Sequence, residues 1–380
     1  MYINLWYVAS FSSELKDDPV KVRMLNRDFV LFRDADGKAH CLSNVCPHRG
    51  VSLAQGKCFA DGTLECPQHG WRFAGNGVCT AIPSQGDDFA MPAGARVDSY
   101  PTEERHGLIW TFLGDKPETA PPIPDMPEIE TPGWRTLEFG EVWNANYHWA
   151  KFANIDLVHV PIVHGQEFVG SFTPPEKISR PDDYSISSHV RTPFEQPKGD
   201  WSEIREEEKH IASTLTFFVS GFTFKGHLEI GGEGSAIFAT FYEMSTPIDS
   251  QMTAMRYLFT RNFMAEPEHD DGYMKRNMKN VNEDRALAET QLPKNGPLPP
   301  GDRDLVIDPD DTVLKGYWEI LGRLTDKGCQ IDLAALEERD RGHRYCAIPS
   351  PARQSNPNAW THDTVPLVQP ATNHPGKRKS

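Results

Sequence analysis

Two short segments of this chain each place a cysteine just before a histidine. The first, CPHRG, contains Cys46 and His48, and the second, CPQHGW, contains Cys66 and His69. Thiolates and imidazoles bind transition metals well, and the proline and glycine in each segment are typical of tight turns. Two such pairs predict a metal site held between two loops, so the surrounding fold must bring two turns together.

These four residues are compatible with three roles. Buried structural side chains are the usual role of a single cysteine or histidine. Zinc also uses Cys2His2 sets, but zinc modules usually group the two cysteines and the two histidines separately. Here each loop supplies one thiolate and one imidazole. This order resembles the ligand set of a Rieske 2Fe–2S cluster, in which two thiolates bind one iron and two imidazoles bind the other, and it favours that assignment.

The composition excludes several classes of partner. The 380 residues include 39 basic and 54 acidic side chains, and the net charge of −15 argues against nucleic acid and anionic membranes. No apolar run reaches the ~20 residues that span a bilayer, and the N-terminal segment does not have the pattern of a secretory signal. Seven cysteines form an odd set without the spacing of a disulfide framework. We therefore expect a cytoplasmic protein whose cysteines are free thiols or metal ligands.

Turn signals and a proline-rich segment divide the chain. Residues 1–115 contain short apolar runs separated by Asp-Gly turns, which predicts a small antiparallel β domain. Residues 116–134 contain six prolines and are predicted to form an extended linker. Residues 135–349 form the predicted second domain, and residues 350–380 a loosely packed polar tail.

The predicted second domain mixes helical and extended patterns. Stretches rich in apolar β-formers over residues 210–262 predict an antiparallel sheet. The predicted helices are NANYHWAKFANIDLVHV, running up to Pro161, and the segments 271–291 and 316–340. The predicted fold class is therefore α+β, with an N-terminal antiparallel β domain followed by a helix-grip-like domain in which helices pack on an antiparallel sheet.

A second candidate metal site lies in this domain. The segment DLVHVPIVH places His159 and His164 on either side of Pro161. Two histidines and one carboxylate form the facial triad of non-haem Fe(II) oxygenases, which leaves positions open for dioxygen. The alternative is that both histidines are structural residues of the core.

The predicted helix after the sheet supplies the carboxylate. On a 3.6-residue helical wheel Asp284 falls within the apolar face, whereas Glu283 falls outside it. That face contains Met274, Met278, Val281 and Ala288. A buried carboxylate needs a cation, which favours Asp284 as a metal ligand over a cap or a salt bridge. Asp270 and Asp271 are reserve candidates near the helix N-terminus, where negative charge is favoured.

Together these motifs resemble those of the Rieske non-haem iron oxygenase α subunits, of the vanillate demethylase and dicamba monooxygenase type. The resemblance runs through most of the chain and includes CPHRG, CPQHGWRF, GLIWTFLG, DLVHVPIVH and NEDRALAETQ. It implies a catalytic role for Asp156, as a bridge between the two metal centres. It also implies two cofactors: a 2Fe–2S cluster bound by Cys46, His48, Cys66 and His69, and a mononuclear Fe(II) bound by His159, His164 and Asp284.

The resemblance also implies an activity. The chain would be a terminal oxygenase that uses dioxygen and externally supplied electrons. It would act on an aromatic or polycyclic small molecule, which it would either hydroxylate or free of an O-methyl or N-methyl group. The alternatives are cis-dihydroxylation of an aromatic ring and, from another class, a Rieske electron carrier without oxygenase activity. No Gly-rich dinucleotide fingerprint is present. A separate NAD(P)H-dependent reductase, with or without a ferredoxin, is therefore expected to supply the electrons.

The family also suggests an assembly. Its members form homotrimers, in which Asp156 would accept hydrogen bonds from the partner subunit's His69 and from His159 of its own chain. One departure concerns the residue three positions before this aspartate, which is often asparagine in relatives. Here that residue is Ala153, and Asn154 follows it.

Overall fold

A computed structural model of the chain describes residues 1–86, 89–156, 158–164, 175–193, 210–231, 237–297, 299, 306–307 and 311–370. Within these ranges no helix has the length and apolar character needed to cross a membrane.

The N-terminal residues form three antiparallel sheets, as predicted. The sheets have the strand orders β2-β3-β4-β9, β5-β6-β7-β8 and β1-β11-β10. The strands are β1 (Leu5–Phe11), β2 (Val20–Met24), β3 (Arg27–Arg33), β4 (Ala39–Ser43), β5 (Lys57–Cys58), β6 (Leu64–Glu65), β7 (Arg72–Phe73), β8 (Cys79–Ala81), β9 (Ser99–Tyr100), β10 (Thr102–Arg105) and β11 (Leu108–Leu113). The turn between β3 and β4 contains Asp36-Gly37, and Gly37 has a positive φ of 78°, which glycine adopts without strain.

The proline-rich segment is packed against the body of the protein, so its prediction as a linker of extended chain is only partly right. It includes the short helix α1 (Pro127–Glu130). Ile123 and Met126 are buried in a cluster with Trp110. Glu128 is also buried and bonds to Lys225 at 2.9 Å and to the Tyr242 hydroxyl. Apolar contacts and these polar bonds hold the segment in place.

The second domain is built on a seven-stranded antiparallel sheet, which confirms the predicted sheet over residues 210–262. Its strand order is β12-β18-β17-β16-β15-β14-β13. The strands are β12 (Arg135–Trp143), β13 (Lys177–Ser179), β14 (Ser185–Pro193), β15 (His210–Phe218), β16 (Thr223–Ile230), β17 (Ile237–Pro247) and β18 (Thr253–Arg261). The strands β12, β13 and β14 were not predicted. In β12, charged side chains interrupt the apolar pattern that marks the central strands.

The helices differ from the prediction at one important place. They are α2 (Tyr147–Ile155), α3 (Val160–Val163), α4 (Asp270–Ala288), α5 (Thr312–Asp326), α6 (Leu333–Arg341) and α7 (Ala352–Ser355), and a short parallel pair, β19 (Cys346–Ala347) and β20 (Asp363–Thr364), lies near the end. The helix predicted to reach Pro161 ends at Ile155. Pro161 instead lies in the first turn of α3, where its missing N–H group breaks no helical hydrogen bond.

The helices α2 and α4 pack on one face of the sheet. Ala150 of α2 and Val281 of α4 share a buried cluster with Tyr257 and Phe259 of β18. A larger cluster joins both predicted domains, because Tyr7 of β1 and Tyr317 of α5 belong to the same core. The two parts of the chain therefore share part of their apolar core.

The predicted loose tail is wrong for the residues up to 370, and residues 371–380 lie outside the described ranges. Arg353 donates two hydrogen bonds to the buried carboxylate of Asp98, both at 2.7 Å. Ser350 donates a third to the same carboxylate, at 2.6 Å. The Arg353 guanidinium also lies 4.4 Å from the centre of the Trp360 ring. These bonds fasten the C-terminal segment to the N-terminal domain.

We expect Arg353→Met to lower the apparent free energy of unfolding by about 3–5 kcal/mol, because it leaves the Asp98 carboxylate buried without its cation. Urea titration followed by tryptophan fluorescence measures the loss. Arg23→Met is the control, since its partner Asp28 is 2.9 Å away in a pair whose arginine is 43% exposed, and surface pairs contribute about 0–1 kcal/mol. Equal losses in both variants would show that the C-terminal attachment is not stabilising.

Candidate metal centres

The two cysteine–histidine segments form two turns of the same construction. The Gly50 N–H donates to the Cys46 carbonyl at 2.9 Å, and the Gly70 N–H donates to the Cys66 carbonyl at 3.0 Å. Both glycines have a positive φ, of 75° and 72°, which other residues adopt only with strain. The glycines therefore close the two turns, Gly50 two residues after His48 and Gly70 directly after His69.

The turns bring the four predicted ligands together. The ring centres of His48 and His69 are 4.6 Å apart, and the Cys46 and Cys66 thiols are within hydrogen-bonding reach. Both cysteines are buried, whereas His69 is exposed and His48 is half-buried, with its ring stacked on Trp71 at 4.8 Å. The thiols thus lie inside and the imidazoles lie towards the surface.

The chemistry of this set fits an iron–sulfur cluster. Burial raises the pKa of the Cys46 thiol to about 12, so the thiolate form needs a bound cation. The His48 Nδ1 atom is buried and has no hydrogen-bond partner among the described residues. An unpaired buried polar atom costs about 1–3 kcal/mol, and coordination to iron would remove that cost.

A second set of ligand atoms lies between α3 and α4. His159 and His164 flank α3 at its two ends, and Asp284 lies on α4. The Asp284 Oδ1 atom is 3.4 Å from His159 Nε2 and 3.2 Å from His164 Nε2. One ligand atom from each residue falls within 4.8 Å of the others, an arrangement that can hold a metal ion.

Both imidazoles turn their Nε2 atoms towards Asp284 and use Nδ1 elsewhere. His159 Nδ1 is 2.6 Å from the Asp156 carbonyl oxygen, and His164 Nδ1 is 2.8 Å from Glu283 Oε2. Such outer acceptors hold the N–H on Nδ1 and leave the Nε2 lone pair free for a metal. This is the tautomer that a metal centre requires.

The electrostatics also fit a metal. Burial opposes the charged form of Asp284, but the rings of His159 and His164 outweigh it and hold the pKa of this carboxyl below its ordinary value. His159 Nε2 and Asp284 Oδ1 are both buried, and neither makes a well-formed hydrogen bond with the described residues. A divalent cation between them would satisfy both atoms.

Asp156 does not contact His159 in the predicted way. Its carboxylate is exposed and accepts a hydrogen bond from the Val158 backbone N–H at 2.8 Å. The bond to the His159 ring comes from the Asp156 backbone carbonyl instead. The cause is the extended backbone of Asp156 at the end of α2, with φ −83° and ψ 114°, which turns the carbonyl towards the ring.

The reserve carboxylates lie away from the cluster. Asp270 pairs with Arg261 at 2.7 Å and with Arg135 at 2.5 Å. It is 14 positions before Asp284 on the same helix, which corresponds to roughly 21 Å. Asp271 is exposed beside it. Both residues belong to the first turn of α4, where acidic side chains are favoured.

Glu283 lies outside the apolar face of α4, so the helical pattern does not predict a role for it at the site. The structure places it next to Asp284 with its carboxylate on His164, and its side chain is 33% exposed. Helical periodicity separates buried from exposed positions, and it gives no signal for a half-exposed residue that bonds to a buried one. The sequence signal that could have indicated this contact is the position of Glu283 directly before Asp284.

Comparison with protein families identifies a known domain type in each part of the chain. Residues 5–101 match the Rieske [2Fe-2S] domain, and residues 143–320 match the vanillate O-demethylase oxygenase C-terminal domain. Among curated proteins, the oxygenase component of dicamba O-demethylase from Stenotrophomonas maltophilia is 38% identical over 164 residues, which are 42% of this chain and 47% of that protein. The 4beta-methylsterol monooxygenase of Methylococcus capsulatus is 42% identical over 132 residues, 33% of this chain and 35% of that protein. The chain thus spans less than half of each of these relatives.

Among solved structures, dicamba monooxygenase bound to dicamba superposes with a TM-score of 0.70 at 25% identity. The match covers 84% of this chain and 96% of that one, so the similarity extends through both domains. The matched ranges contain the two cysteine–histidine turns and the residues of the second ligand cluster. The chain belongs to the Rieske non-haem iron oxygenase α subunits.

Proposed function

We propose that the chain is the terminal oxygenase of a system that hydroxylates or demethylates an aromatic or polycyclic small molecule. The observation that carries the proposal is the His159, His164 and Asp284 cluster, whose ligand atoms converge within 4.8 Å in the same chain as the Rieske turns. An electron carrier would not need this second cluster. Two of its relatives, the oxygenase component of dicamba O-demethylase and 4beta-methylsterol monooxygenase, suggest the class of substrate.

In this proposal the four residues of the turns hold a 2Fe–2S cluster, and the two histidines with Asp284 hold Fe(II). When bound, the cluster supplies electron transfer and the mononuclear iron supplies the reduction of dioxygen. The residues around the iron fix its ligands: the Asp156 carbonyl orients His159, and Glu283 orients His164. Three protein ligands leave coordination positions for small molecules.

The proposal includes partners. Electrons would come from a separate NAD(P)H-dependent reductase, directly or through a ferredoxin. We also propose a homotrimer in which the exposed Asp156 carboxylate accepts a hydrogen bond from the partner subunit's His69. The exposure of both Asp156 and His69 supports this contact, because both side chains are accessible to another copy.

Purified protein with a surrogate reductase is expected to take up oxygen only when a suitable substrate is added, and to release formaldehyde from methoxylated or N-methylated compounds. Hydroxylation of such a methyl group gives a hemiacetal or hemiaminal, which breaks down to formaldehyde. An oxygen electrode and formaldehyde trapping over a panel of aromatic and polycyclic compounds test this. The control is metal analysis, expected to give acid-labile sulfide for one 2Fe–2S cluster and one further iron per chain. Finding zinc and no acid-labile sulfide would exclude the oxygenase. Reoxidation of the reduced cluster without any oxidised product would also exclude it.

Glu283→Gln is expected to lower iron affinity or turnover about 10- to 100-fold, as loss of an outer hydrogen-bond acceptor on a ligating histidine commonly does. The amide keeps the shape of the side chain but can place a donor against His164 Nδ1. Iron titration of the iron-depleted protein measures the change. Glu289→Gln on the same helix is the matched control, since Glu289 bonds to Arg285 at 2.8 Å and to the Asn144 N–H at 3.0 Å. A similar loss in both variants would mean that α4 was disturbed as a whole.

A further inference from the structure

A buried ion pair joins α2 to the central sheet. The Lys151 Nζ atom lies 3.0 Å from Glu243 Oε1 and 3.4 Å from the Glu243 carbonyl oxygen. The side chains are 0% and 4% exposed. Removing two charges from water costs about as much as their attraction returns, so such a pair adds little stability over an apolar pair of the same size. Its position suggests another role.

The pair lies on the sheet face that supports the proposed iron site. Glu243 of β17 is the register neighbour of Phe224 on β16 and of Tyr257 on β18, so these side chains share one face. Tyr257 packs in the cluster formed with α4, the helix that carries Asp284. Burial raises the pKa of Glu243, and the nearby charge of Asp284 adds to the rise.

Two hydrogen-bonding groups beside this pair have no partner among the described residues. Lys151 has three N–H groups, of which Glu243 accepts two, and its Nζ atom also lies 6.0 Å from the centre of the Phe224 ring. The Asn154 amide reaches the Glu243 carboxylate, and its buried Oδ1 atom has no donor. The hydroxyl of Tyr257, a side chain that is 1% exposed, is also unpaired. Each unpaired buried group costs about 1–3 kcal/mol, and a bound molecule with donor and acceptor atoms would satisfy them.

We propose that Lys151, Asn154, Glu243 and Tyr257 form a substrate-recognition site for a neutral hydroxyl or amide group on an otherwise apolar substrate. The inference rests on the proposed oxygenase function and adds the class of substrate. The site offers an N–H donor, an amide oxygen acceptor and a hydroxyl that can do both, which matches a group with its own donor and acceptor. The charges of Lys151 and Glu243 cancel, so the site does not select an ion. A carboxylate substrate would lose its hydration at a buried site with no net positive charge of its own, so the site disfavours it.

Calorimetric titration of the iron-loaded protein with four matched compounds tests the inference: 4-methoxyphenol, 4-methoxybenzamide, 4-methylanisole and 4-methoxybenzoate. We expect the phenol and the amide to bind about tenfold more tightly than 4-methylanisole, the effect of about one satisfied hydrogen bond, and the benzoate to bind most weakly. In the double variant Lys151→Met, Glu243→Leu the preference should disappear. Because it replaces both charges, this variant should melt at or above the wild-type midpoint.

A second Lys–Glu pair on the opposite face of the same sheet provides the control. Lys225 of β16 and Glu128 of α1 are 2.9 Å apart. The double variant Lys225→Met, Glu128→Leu should keep the wild-type preference, whereas Tyr257→Phe should lose part of it while keeping the packing of the ring. Tyr257→Phe is also the test that remains if the Lys151 variant does not fold.

Three outcomes would overturn the recognition site: equal or no binding of the four compounds by the wild type, tighter binding of the benzoate, or an unchanged preference in both the Lys151 double variant and Tyr257→Phe. The last result would mean that the pair only joins α2 to the sheet or binds water. Binding does not require turnover. A clear preference without oxygen uptake would therefore support the recognition site and contradict the proposed oxygenase. Substrate oxidation without a binding preference would support the oxygenase and contradict the recognition site.

Discussion

Asp284→Ala is expected to abolish substrate oxidation while the absorption spectrum of the iron–sulfur cluster stays unchanged. The change removes one of three converging ligand atoms and leaves the Rieske turns untouched. Metal affinity depends on the full ligand set, so we expect the additional iron to fall to roughly a tenth of its wild-type content. Iron and sulfide analysis, absorption spectroscopy and oxygen uptake together measure the outcome.

Asp271→Ala is the matched control, because Asp271 is an exposed carboxylate on the same helix. It should keep the additional iron and the wild-type rate. If Asp284→Ala kept full turnover while Asp270→Ala or Asp271→Ala lost it, the choice of carboxylate would be wrong. A loss of cluster absorption in Asp284→Ala would instead point to general misfolding.

Asp156→Ala is expected to lower turnover by about two orders of magnitude and to leave the cluster, most of the iron and the oligomer in place. The alanine variant keeps the backbone carbonyl that bonds to His159, so the iron ligand should stay oriented. What it loses is the exposed carboxylate that we propose for contact with the partner subunit's His69. The Val158 N–H would bond to water instead. Rapid mixing of the reduced variant with substrate and oxygen should show that the cluster fails to reoxidise at the wild-type rate.

Asp156→Asn separates charge from shape, since its amide oxygen can still accept a hydrogen bond but carries no charge. We expect its rate to lie between those of the alanine variant and the wild type. Sedimentation analysis of each variant gives the oligomeric state. Normal reoxidation in the alanine variant, or full activity of a monomer, would rule out the contact between subunits.

The sequence allowed prediction of those features that depend on residues close together in the chain. The two turns follow from their cysteine, histidine and glycine spacing, and Asp284 follows from the period of one helix. The end of α2 was misjudged because proline is compatible with the first turn of a new helix as well as with the end of an old one. The domain boundaries stay predictions.

Contacts between distant positions could not be predicted in this way. Lys151 and Glu243 are 92 positions apart, and neither the helical pattern of one nor the strand pattern of the other indicates a buried charged partner. The predicted loose tail is wrong for the same reason: its composition is polar, but Arg353 bonds to the carboxylate of Asp98, which is 255 positions away. Bonds of this kind depend on the complete fold.

The bond between Arg353 and Asp98 also sets an order of events during synthesis. The two residues are 255 positions apart. At a translation rate of about 5–20 residues per second, the arginine leaves the ribosome roughly 10 to 50 s after the aspartate. Throughout that interval the N-terminal domain has all its ligand cysteines but not its C-terminal attachment. Nascent chains therefore contain every cluster ligand before the domain is fully stabilised. Chains that terminate early would leave the buried Asp98 carboxylate without its cation, which would lower the stability of the domain.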